Sequence, residues 1–500
     1  MFAKLMKHLR SLFFILTSHS KSFEEAKFAM TVVKPVMLVT DESSQTWYSK
    51  LLKTDVPSLR WHALLDSTSS DLAKEWNGIA GLHSEMLKKH HVKPLPFDYS
   101  WAPDGAVMIC FTSGTTGKPK GVTLSHGALI VQSLAKIAIV GYNEDDVYLH
   151  TTPLCHIGGL SSALTMLMVG GCHVLMPKFD PKSAVDAIER YGVTSLITVP
   201  AIMASLISLI RHVPVHKETW KGGETVKKIL NGGGSLSLEL IKDTNLFFHK
   251  AKLISAYGMT ETCSSMTFMN LYDPMHETTI SQNLQIVGEA ASSNSIHQPQ
   301  GICVGKAAPH VELKICEDDG TSHIGRILTR GPHTMLRYWD QTLTSSSNGR
   351  SEAWFDTGDI GSIDNHGNLW LLGRTNGRIK SGGENIYPEE VEAILQGHPG
   401  ITSVVVVGIP DAYLTEMVAA CIQLTENWQW LDQSNSNQEF YISKKSLHQY
   451  CIQHNLSRFK IPKMFLLWGK PFPLTTTGKV RRDQIRKELM CRLQSLHSNL

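Results

Sequence analysis

Apolar runs and amphipathic stretches alternate along most of this chain. Short apolar runs predict buried strands at 107–111, 173–176, 195–199 and 253–256. Between them, apolar residues recur at helical spacing and predict helices at 128–139, 159–168, 181–191 and 201–211. Upstream, a helix is predicted at 23–33 and a strand at 35–40. This alternation predicts an α/β architecture with several layers and largely parallel strands.

The pattern changes after Gly373. Helices are predicted at 388–396 and 443–454, strands at 404–408 and 418–424, and a polar loop at 426–440. Polar, turn-rich stretches at 277–300 and 342–352 predict surface loops. We therefore predict an atypical N-terminal segment over 1–22, a large α/β domain over 23–372, and a small mobile α+β lid domain over 373–500.

Composition excludes several classes of protein. The chain has 48 basic and 45 acidic residues, a balance that argues against a nucleic-acid partner. No apolar run approaches the length of a membrane span. The nine cysteines are scattered, and no two have the Cys-x-x-Cys spacing of a zinc ribbon or thioredoxin motif, so free thiols are predicted.

The sharpest motif is Thr112-Ser-Gly-Thr-Thr-Gly-Lys-Pro-Lys-Gly121, directly after a predicted strand. Glycines permit close backbone approach, and successive N–H groups with hydroxyls and lysines can cradle an anion. The Gly-Lys spacing of a Walker A loop is absent. A polar surface turn is the alternative. The candidate phosphate-binding residues are Thr112, Ser113, Gly114, Thr115, Thr116, Gly117 and Lys120.

This loop resembles the phosphate-binding signature of the adenylate-forming enzymes, the superfamily of acyl-CoA synthetases, adenylation domains and luciferases. Further segments agree in the same order: 231–236 (NGGGSL), 256–261 (AYGMTE), 354–359 (WFDTGD), 380–390 (KSGGENIYPEE) and 473–479 (PLTTTGK). The resemblance implies that 23–372 is an AMP-binding domain and that ATP, Mg²⁺ and coenzyme A are used. The partners would be these molecules and a small carboxylic acid.

The resemblance also implies residue roles. Gly232, Gly233 and Gly234 would face adenine, and Asp359 would bind the ribose hydroxyls near Arg374. Thr260 would reach the α-phosphate, and Glu261 with Thr115 would hold Mg²⁺. Lys479 would be the mobile catalytic lysine, withdrawn after adenylation by rotation about Asn376. The remaining nucleotide or lid contacts would be Ala256, Tyr257, Gly258, Met259, Gly382, Gly383 and Glu384.

The acid site has polar candidates. His156, Ser162, Ser264 and Ser265 can hold a second carboxylate. The segments 153–160 (PLCHIGGL), 263–265 (CSS) and 381–388 (SGGENIYP) together resemble the 2-succinylbenzoate–CoA ligases of phylloquinone synthesis. His156 also has a simpler interpretation as a residue that gates the pocket. One alternative is a ligase for cinnamate-like or medium-chain acids. Another is a non-catalytic nucleotide-binding remnant, because the resemblance begins only near Ser22 and the large domain is then expected to be N-terminally shortened. The oligomeric state stays open.

Two segments predict a destination in the cell. Residues 1–22 are basic and free of acids, as in organelle transit peptides. The tripeptide Ser498-Asn-Leu500 resembles the peroxisomal Ser-Lys-Leu address, with asparagine in place of the basic residue. The expected locations are the peroxisome, the chloroplast, or otherwise the cytosol.

Overall fold

Two compact units make up the protein in this computed structural model. The first unit comprises Met1–Asp180, Gly258–Ser265 and Gly331–Ala353, and the second Pro181–Tyr257, Met266–Arg330 and Trp354–Leu500. The structure describes residues 14–16, 23–41, 50–65, 80–83, 105–112, 120–212, 220–275, 301–317, 323–339, 353–374, 377, 379–381, 384–411, 414–431, 440–454, 456, 458–474 and 480–497. The predicted targeting segment, outside 14–16, and the C-terminal tripeptide lie beyond the described residues.

The helices follow the predicted pattern closely. They are α1 (Phe23–Val33), α2 (His126–Val140), α3 (Ile157–Val169), α4 (Pro181–Tyr191), α5 (Pro200–His212), α6 (Gly222–Thr225), α7 (Leu238–Phe247), α8 (Pro388–Gln396), α9 (Lys444–Gln453) and α10 (Arg482–His497). A short 3₁₀ turn covers Thr260–Thr262.

The strands are more numerous than the apolar runs alone predicted. They are β1 (Phe14–Leu16), β2 (Met37–Asp41), β3 (Trp61–Leu65), β4 (Ala80–His83), β5 (Ala106–Thr112), β6 (Lys120–Ser125), β7 (Val147–Leu149), β8 (Cys172–Val174), β9 (Ser195–Thr198), β10 (Lys228–Asn231), β11 (Lys252–Met259), β12 (Ser264–Tyr272), β13 (Ile302–Ala307), β14 (Glu312–Cys316), β15 (Gly325–Arg330), β16 (Arg337–Tyr338), β17 (Phe355–Ile363), β18 (Asn368–Arg374), β19 (Ile379–Ser381), β20 (Glu384–Ile386), β21 (Ile401–Asp411), β22 (Thr415–Leu424), β23 (Gln429–Trp430), β24 (Tyr441–Ile442) and β25 (Met464–Leu467).

In the first unit, β5 and β6 form an antiparallel hairpin, with β1 parallel to β5 on one side and β16 antiparallel to β6 on the other. Helices α2 and α3 pack together beside this sheet. The Ser125 hydroxyl accepts from the N–H of Ala128 and caps the start of α2, and Gly141 in the left-handed conformation ends it. Buried Val122, Leu124 and Ala128 belong to the shared core.

The second unit contains a mixed sheet. Its strands follow one another in the order β14-β15-β17-β18-β13-β12-β11-β10-β9. Strands β9, β10 and β11 are parallel, whereas β12 to β13, β13 to β18, β18 to β17, β17 to β15 and β15 to β14 pair antiparallel. The parallel strands expected from the alternation over 106–271 are found in β9, β10 and β11. The antiparallel pairs mostly involve residues 302–374, for which no strand direction was predicted. In the described part of 302–374, short strands follow one another without an intervening helix, and strands joined in this way pair antiparallel.

The C-terminal part of the second unit has its own sheet, in the order β20-β19-β22-β21 with β25 parallel to β22. Alternate residues of β21 face opposite sides of this sheet. Val404 and Val406 lie in one core with α8 and α9, and Val405 and Val407 lie in a second core with α10. The α+β character predicted for this region is confirmed, and so is the overall α/β fold class.

All nine cysteines are free thiols. Within the described residues, no helix has both the length and the apolar composition needed to cross a membrane.

Candidate active site

The candidate phosphate loop is held at both ends by paired strands. In the β5–β6 hairpin, Thr112 lies opposite Lys120, so the two ends of the loop are adjacent. The ammonium of Lys120 lies 5.2 Å from the centre of the Tyr338 ring, a cation–π arrangement. The predicted phosphate contacts Ser113, Gly114, Thr115, Thr116 and Gly117 lie outside the described residues.

Glu261 is held by the same corner of the first unit. Its side chain is 8% exposed, and its Oε1 accepts a hydrogen bond from the Tyr338 hydroxyl at 3.0 Å. Its carbonyl oxygen accepts from the N–H of Met335 at 2.8 Å. Burial, together with the adjacent Glu261 carboxylate, raises the pKa of the Tyr338 phenol, which therefore stays a hydrogen-bond donor.

This environment fits the predicted metal role of Glu261. A carboxylate has about four acceptor positions, and one neutral phenol donor uses only one of them. Mg²⁺ is usually held by one or two carboxylates together with phosphate oxygens and water. Among the described residues, no group of three His, Cys, Asp or Glu side chains could hold a metal alone. A site here would therefore need phosphate oxygens as ligands.

The turn that carries Glu261 requires glycine at its start. A Cβ built on Gly258 would lie 1.6 Å from the carbonyl oxygen of Ser264, which no side chain can tolerate. The N–H of Met259 donates to Thr262 Oγ1, and the N–H of Cys263 donates to the carbonyl of Thr260. The half-buried Thr260 thus sits in a closed turn, directly before Glu261.

Backbone strain follows this turn. Cys263 has φ 54° and Ser264 has φ 109°, a conformation that residues with a Cβ seldom adopt. Strain of this kind costs on the order of 1–3 kcal/mol per residue and persists where the surrounding structure enforces it. Ser264 and Ser265, two predicted acid-site residues, are buried here with their hydroxyl oxygens 3.5 Å apart.

In the second unit, the predicted adenine residues follow the ends of parallel strands. Asn231 at the end of β10 pairs in register with Thr198 of β9 and Ser255 of β11. Gly232–Gly234 follow the end of β10, and Ala256 and Tyr257 extend β11 beyond its last residue paired with β10. Both segments therefore lie at the carboxyl edge of these parallel strands, where open α/β sheets bind ligands. Asn231 Nδ2 donates to the carbonyl of Gly234 at 2.8 Å and holds the glycine turn closed.

Asp359 and Arg374, which the resemblance assigns to the nucleotide, contact each other directly. They are register partners on β17 and β18, and Arg374 Nε lies 2.9 Å from Asp359 Oδ1. The Tyr257 hydroxyl donates to Asp359 Oδ2 at 2.6 Å, a contact that the sequence did not predict. Burial and the Asp359 charge raise the pKa of the Tyr257 phenol. Each carboxylate oxygen still has one lone pair, enough for the two hydroxyls of a cis-diol.

Ser162 and His156 lie at the first turns of α3. His156 is half-buried at the N-cap position and makes no side-chain cap. The fully buried Ser162 donates to the carbonyl of Gly158 and accepts from Lys136 Nζ at 3.0 Å. Sequence reasoning missed Lys136, although its helical spacing from Ala128 places it on the buried face of α2.

The predicted catalytic lysine and most of the predicted lid residues fall outside the described residues, but some of the residues that flank them are described. Lys479 lies outside the described residues, but the residues on both sides of it are fixed. Leu474 pairs with Val480, and the N–H of Arg481 donates to the carbonyl of Pro473. Gly382, Gly383 and Asn376 also lie outside the described residues, as does the side chain of Glu384, whose backbone pairs with Ser381 in the β19–β20 hairpin.

Arg482 anchors the start of α10, three residues after Lys479. Its guanidinium lies 3.1 Å from Glu389 Oε1 and 2.5 Å from Glu392 Oε2, both on α8. The nearby carboxylates keep the pKa of Arg482 above its ordinary value despite burial. The start of α10 is therefore held against α8 by ion pairs.

Two family profiles match the chain. The AMP-binding enzyme profile matches residues 15–339, and the AMP-binding enzyme C-terminal domain profile matches residues 390–479. The chain belongs to the AMP-binding enzyme family. The resemblance drawn from the motifs is thereby confirmed.

Individual members of the AMP-binding enzyme family are similar over most of their length. The chain is 54% identical to the 2-succinylbenzoate–CoA ligase, chloroplastic/peroxisomal, of Arabidopsis thaliana, over 96% of this chain and 84% of that protein. It is 34% identical to the indoleacetate–CoA ligase of Aromatoleum aromaticum, over 81% and 71% of the two chains.

Solved structures of the family share the fold. The O-succinylbenzoate coenzyme A synthetase of Bacillus subtilis, in complex with ATP and magnesium ion, superposes with a TM-score of 0.67 at 26% identity. The match covers 93% of this chain and 82% of that one.

Proposed function

We propose that this chain is an AMP-forming acid–CoA ligase whose acid substrate is 2-succinylbenzoate. In the first step the acid carboxylate attacks the α-phosphate of ATP, which gives an acyl-adenylate and releases pyrophosphate. In the second step the thiol of coenzyme A attacks the acyl carbon, which gives the thioester and releases AMP. The observation that carries the proposal is the 54% identity to the Arabidopsis 2-succinylbenzoate–CoA ligase across 96% of the chain.

The described residues support the nucleotide half of this proposal. Asp359, placed by Tyr257 and Arg374, has acceptor positions for ribose hydroxyls. Lys120 adds positive charge at the end of the phosphate loop, and Glu261 is the carboxylate that would hold Mg²⁺ together with Thr115. When bound, Mg²⁺ neutralises phosphate charge. These residues act by positioning and charge neutralisation, which is how phosphoryl chemistry is usually catalysed.

The lid residues complete the proposal. We assign Lys479 to the stabilisation of negative charge on the α-phosphate during adenylation. Gly382, Gly383 and Glu384 would then face the site for thioester formation, after rotation of residues 373–500 about Asn376. Gating of this kind separates two half-reactions in one enzyme. The boundary at 372/373 is part of this proposal.

A destination in the cell follows from the same comparison. The Arabidopsis relative is described as chloroplastic/peroxisomal, and we propose the same two compartments for this chain, with a role in phylloquinone synthesis. A fluorescent tag at the N-terminus leaves Ser498-Asn-Leu500 free, and removal of Leu500 is the matched control. Punctate peroxisomal signal lost on that removal supports the peroxisomal address, and diffuse signal from the intact terminus contradicts it.

Acid-dependent exchange of labelled pyrophosphate into ATP tests the proposed activity. The acids to compare are 2-succinylbenzoate, indoleacetate, a cinnamate, benzoate and octanoate. We expect 2-succinylbenzoate to give the highest kcat/KM. Indoleacetate–CoA ligase activity is the second candidate, because of the 34% identity to that enzyme. A higher kcat/KM with indoleacetate would overturn the substrate assignment, and no exchange with any acid would overturn ligase activity.

A further inference from the structure

Helix α2 buries three polar side chains on one face. Gln132, Ser133 and Lys136 are at most 1% exposed, and Lys136 follows the adjacent pair Gln132 and Ser133 by about one helical turn. The ammonium of Lys136 donates to Ser161 Oγ at 2.6 Å and to Ser162 Oγ at 3.0 Å. A buried ammonium is costly unless an anion accompanies it, and within the described residues no carboxylate is paired with Lys136.

The hydrogen bonds show that Lys136 acts as a donor. The hydroxyls of Ser161 and Ser162 both donate to the carbonyl of Gly158, so their oxygen lone pairs point to the ammonium. An ammonium has three N–H donors, and these two hydroxyls accept two of them. Burial lowers the pKa of Lys136 to about 7. Below this pH, Lys136 is an ammonium with one unmatched donor and one unmatched positive charge.

More unmatched polar atoms lie beside the lysine. In the described part of the chain, neither Oε1 nor Nε2 of Gln132 has a hydrogen-bond partner, and neither does Ser133 Oγ. Buried polar atoms of folded proteins are nearly always paired with protein groups or ordered water, so these atoms have hydrogen-bonding capacity available for a polar group beside Lys136. Gln132 Nε2 and the Ser133 hydroxyl can donate to carboxylate oxygens, as the ammonium can, whereas Gln132 Oε1 can only accept a hydrogen bond.

The position of Lys136 links this polar group to the predicted acid site. Lys136 is close enough to Cys263 for the charge of each group to shift the pKa of the other. Cys263 follows Glu261 by two residues and precedes the strained, buried Ser264. Ser162, another predicted acid-site residue, is a direct hydrogen-bond partner of Lys136.

We propose that Lys136 binds the second carboxylate of the dicarboxylic substrate, the one that is not activated, with Gln132 and Ser133 as neighbouring hydrogen-bond donors. This inference rests on the proposed ligase function and adds the residue that selects dicarboxylic acids. Lys136 is a specificity-determining residue with no part in the bond-making steps. Charge pairing makes a monocarboxylic acid a poor substrate, because it leaves the buried ammonium unpaired.

The test compares 2-succinylbenzoate with its two monocarboxylate analogues, 3-benzoylpropanoate and 2-butanoylbenzoate. Each analogue lacks one of the two carboxylates. The analogue that wild type still activates has kept the carboxylate that becomes adenylated, so it lacks the carboxylate assigned to Lys136. We call it the usable analogue. The variants are Lys136→Met, which keeps the length of the side chain, and Lys136→Gln, which keeps polarity. Leu134→Met, at an exposed position of the same helix, is the matched control. Thermal unfolding of each variant is measured in parallel.

For Lys136→Met we expect kcat/KM with 2-succinylbenzoate to fall on the order of 10²–10³-fold, while kcat/KM with the usable analogue stays unchanged. The loss should appear mainly in KM for the acid, and KM for ATP should not move. Lys136→Gln should show the same loss of preference. Leu134→Met should behave as wild type.

Two outcomes would overturn the inference. If Lys136→Met and Lys136→Gln both remain folded and kcat/KM falls equally with 2-succinylbenzoate and with the usable analogue, Lys136 has only a structural role. If the ratio of kcat/KM for 2-succinylbenzoate to kcat/KM for the usable analogue is unchanged in the variants, Lys136 does not select the second carboxylate. Failure of the proposed function looks different, because wild type itself would then show no exchange with 2-succinylbenzoate.

Discussion

Tyr338→Phe removes a single oxygen atom from the corner that holds Glu261. The phenylalanine ring keeps the contact with the Lys120 ammonium, which lies 5.2 Å from the ring centre. The loss is the hydrogen bond of 3.0 Å from the phenol to Glu261 Oε1. Because Glu261 is 8% exposed, little water can replace that donor. The variant thus isolates one contact of the proposed metal-binding carboxylate.

A hydrogen bond to a charged group contributes about 1.5–3 kcal/mol. Tyr338 is half-buried, so about 2 kcal/mol is the appropriate value. At 1.36 kcal/mol for each factor of ten, we expect kcat/KM for Mg·ATP to fall about 30-fold in the adenylation half-reaction. Thioester formation from supplied acyl-adenylate should be affected far less, because it does not use the pyrophosphate-bound metal.

Pyrophosphate exchange at saturating acid, with Mg²⁺ and ATP varied separately, measures this effect. Tyr191→Phe is the matched control, since Tyr191 is 52% exposed and its ring contact with Arg190 survives the change. A wild-type dependence on Mg²⁺ and ATP in Tyr338→Phe would refute the argument that Tyr338 sets the position of Glu261. Equal loss in both half-reactions would refute the assignment to the metal.

Three further predictions concern other parts of the site. Gly258→Ala forces a Cβ to 1.6 Å from the Ser264 carbonyl, so we expect lost adenylation and a lower melting temperature; wild-type melting would contradict this. Lys479→Ala should cost on the order of 10²–10³ in adenylation rate and spare thioester formation, and equal damage to both would exclude the assigned role. The third is a pH dependence. The pKa of Lys136 is lowered to about 7, and its charged form exists below that pH, so kcat/KM for 2-succinylbenzoate should fall as pH rises through about 7. Burial raises the pKa of the facing Cys263 thiol, which therefore stays neutral over this pH range. If Lys136→Met shows the same dependence of kcat/KM on pH as wild type, the assignment to Lys136 is wrong.

The helices and the nucleotide motifs were predictable from the sequence. Helical spacing placed α4 at the residues observed, 181–191, because its apolar stripe is narrow and one-sided. Both Asp359 and Arg374 were assigned to the nucleotide from their motifs, and the structure adds their ion pair, because the two residues are opposite each other on adjacent strands. Motif resemblance supplied these sites because each motif is continuous in the sequence.

The direction of the strands was not predictable from apolar runs. An apolar run indicates a buried strand but does not tell a parallel from an antiparallel neighbour. The connection decides this: β14 and β15, and likewise β17 and β18, are close in sequence and pair antiparallel.

Tyr338 and Lys136 were missed for a related reason. Each is a single residue whose partner is distant in sequence, Glu261 for the tyrosine and Ser161 for the lysine. Lys136 did leave a signal, because Ala128, Gln132 and Lys136 repeat at intervals of four on the face of α2 that packs inward. Polar residues on such a face mark a buried polar site, and the identity of its ligand requires the three-dimensional contacts.

The products made from 2-succinylbenzoate, ATP, Mg²⁺ and coenzyme A by the purified full chain test the central claim most directly. Mass spectrometry of the thioester, with parallel measurement of AMP and pyrophosphate, gives the stoichiometry of the reaction. We predict one 2-succinylbenzoyl-CoA and one pyrophosphate for each AMP, with none formed when the acid is omitted. Release of ADP and phosphate in place of AMP and pyrophosphate would contradict the account. So would the absence of a 2-succinylbenzoyl thioester from an enzyme that adenylates another acid.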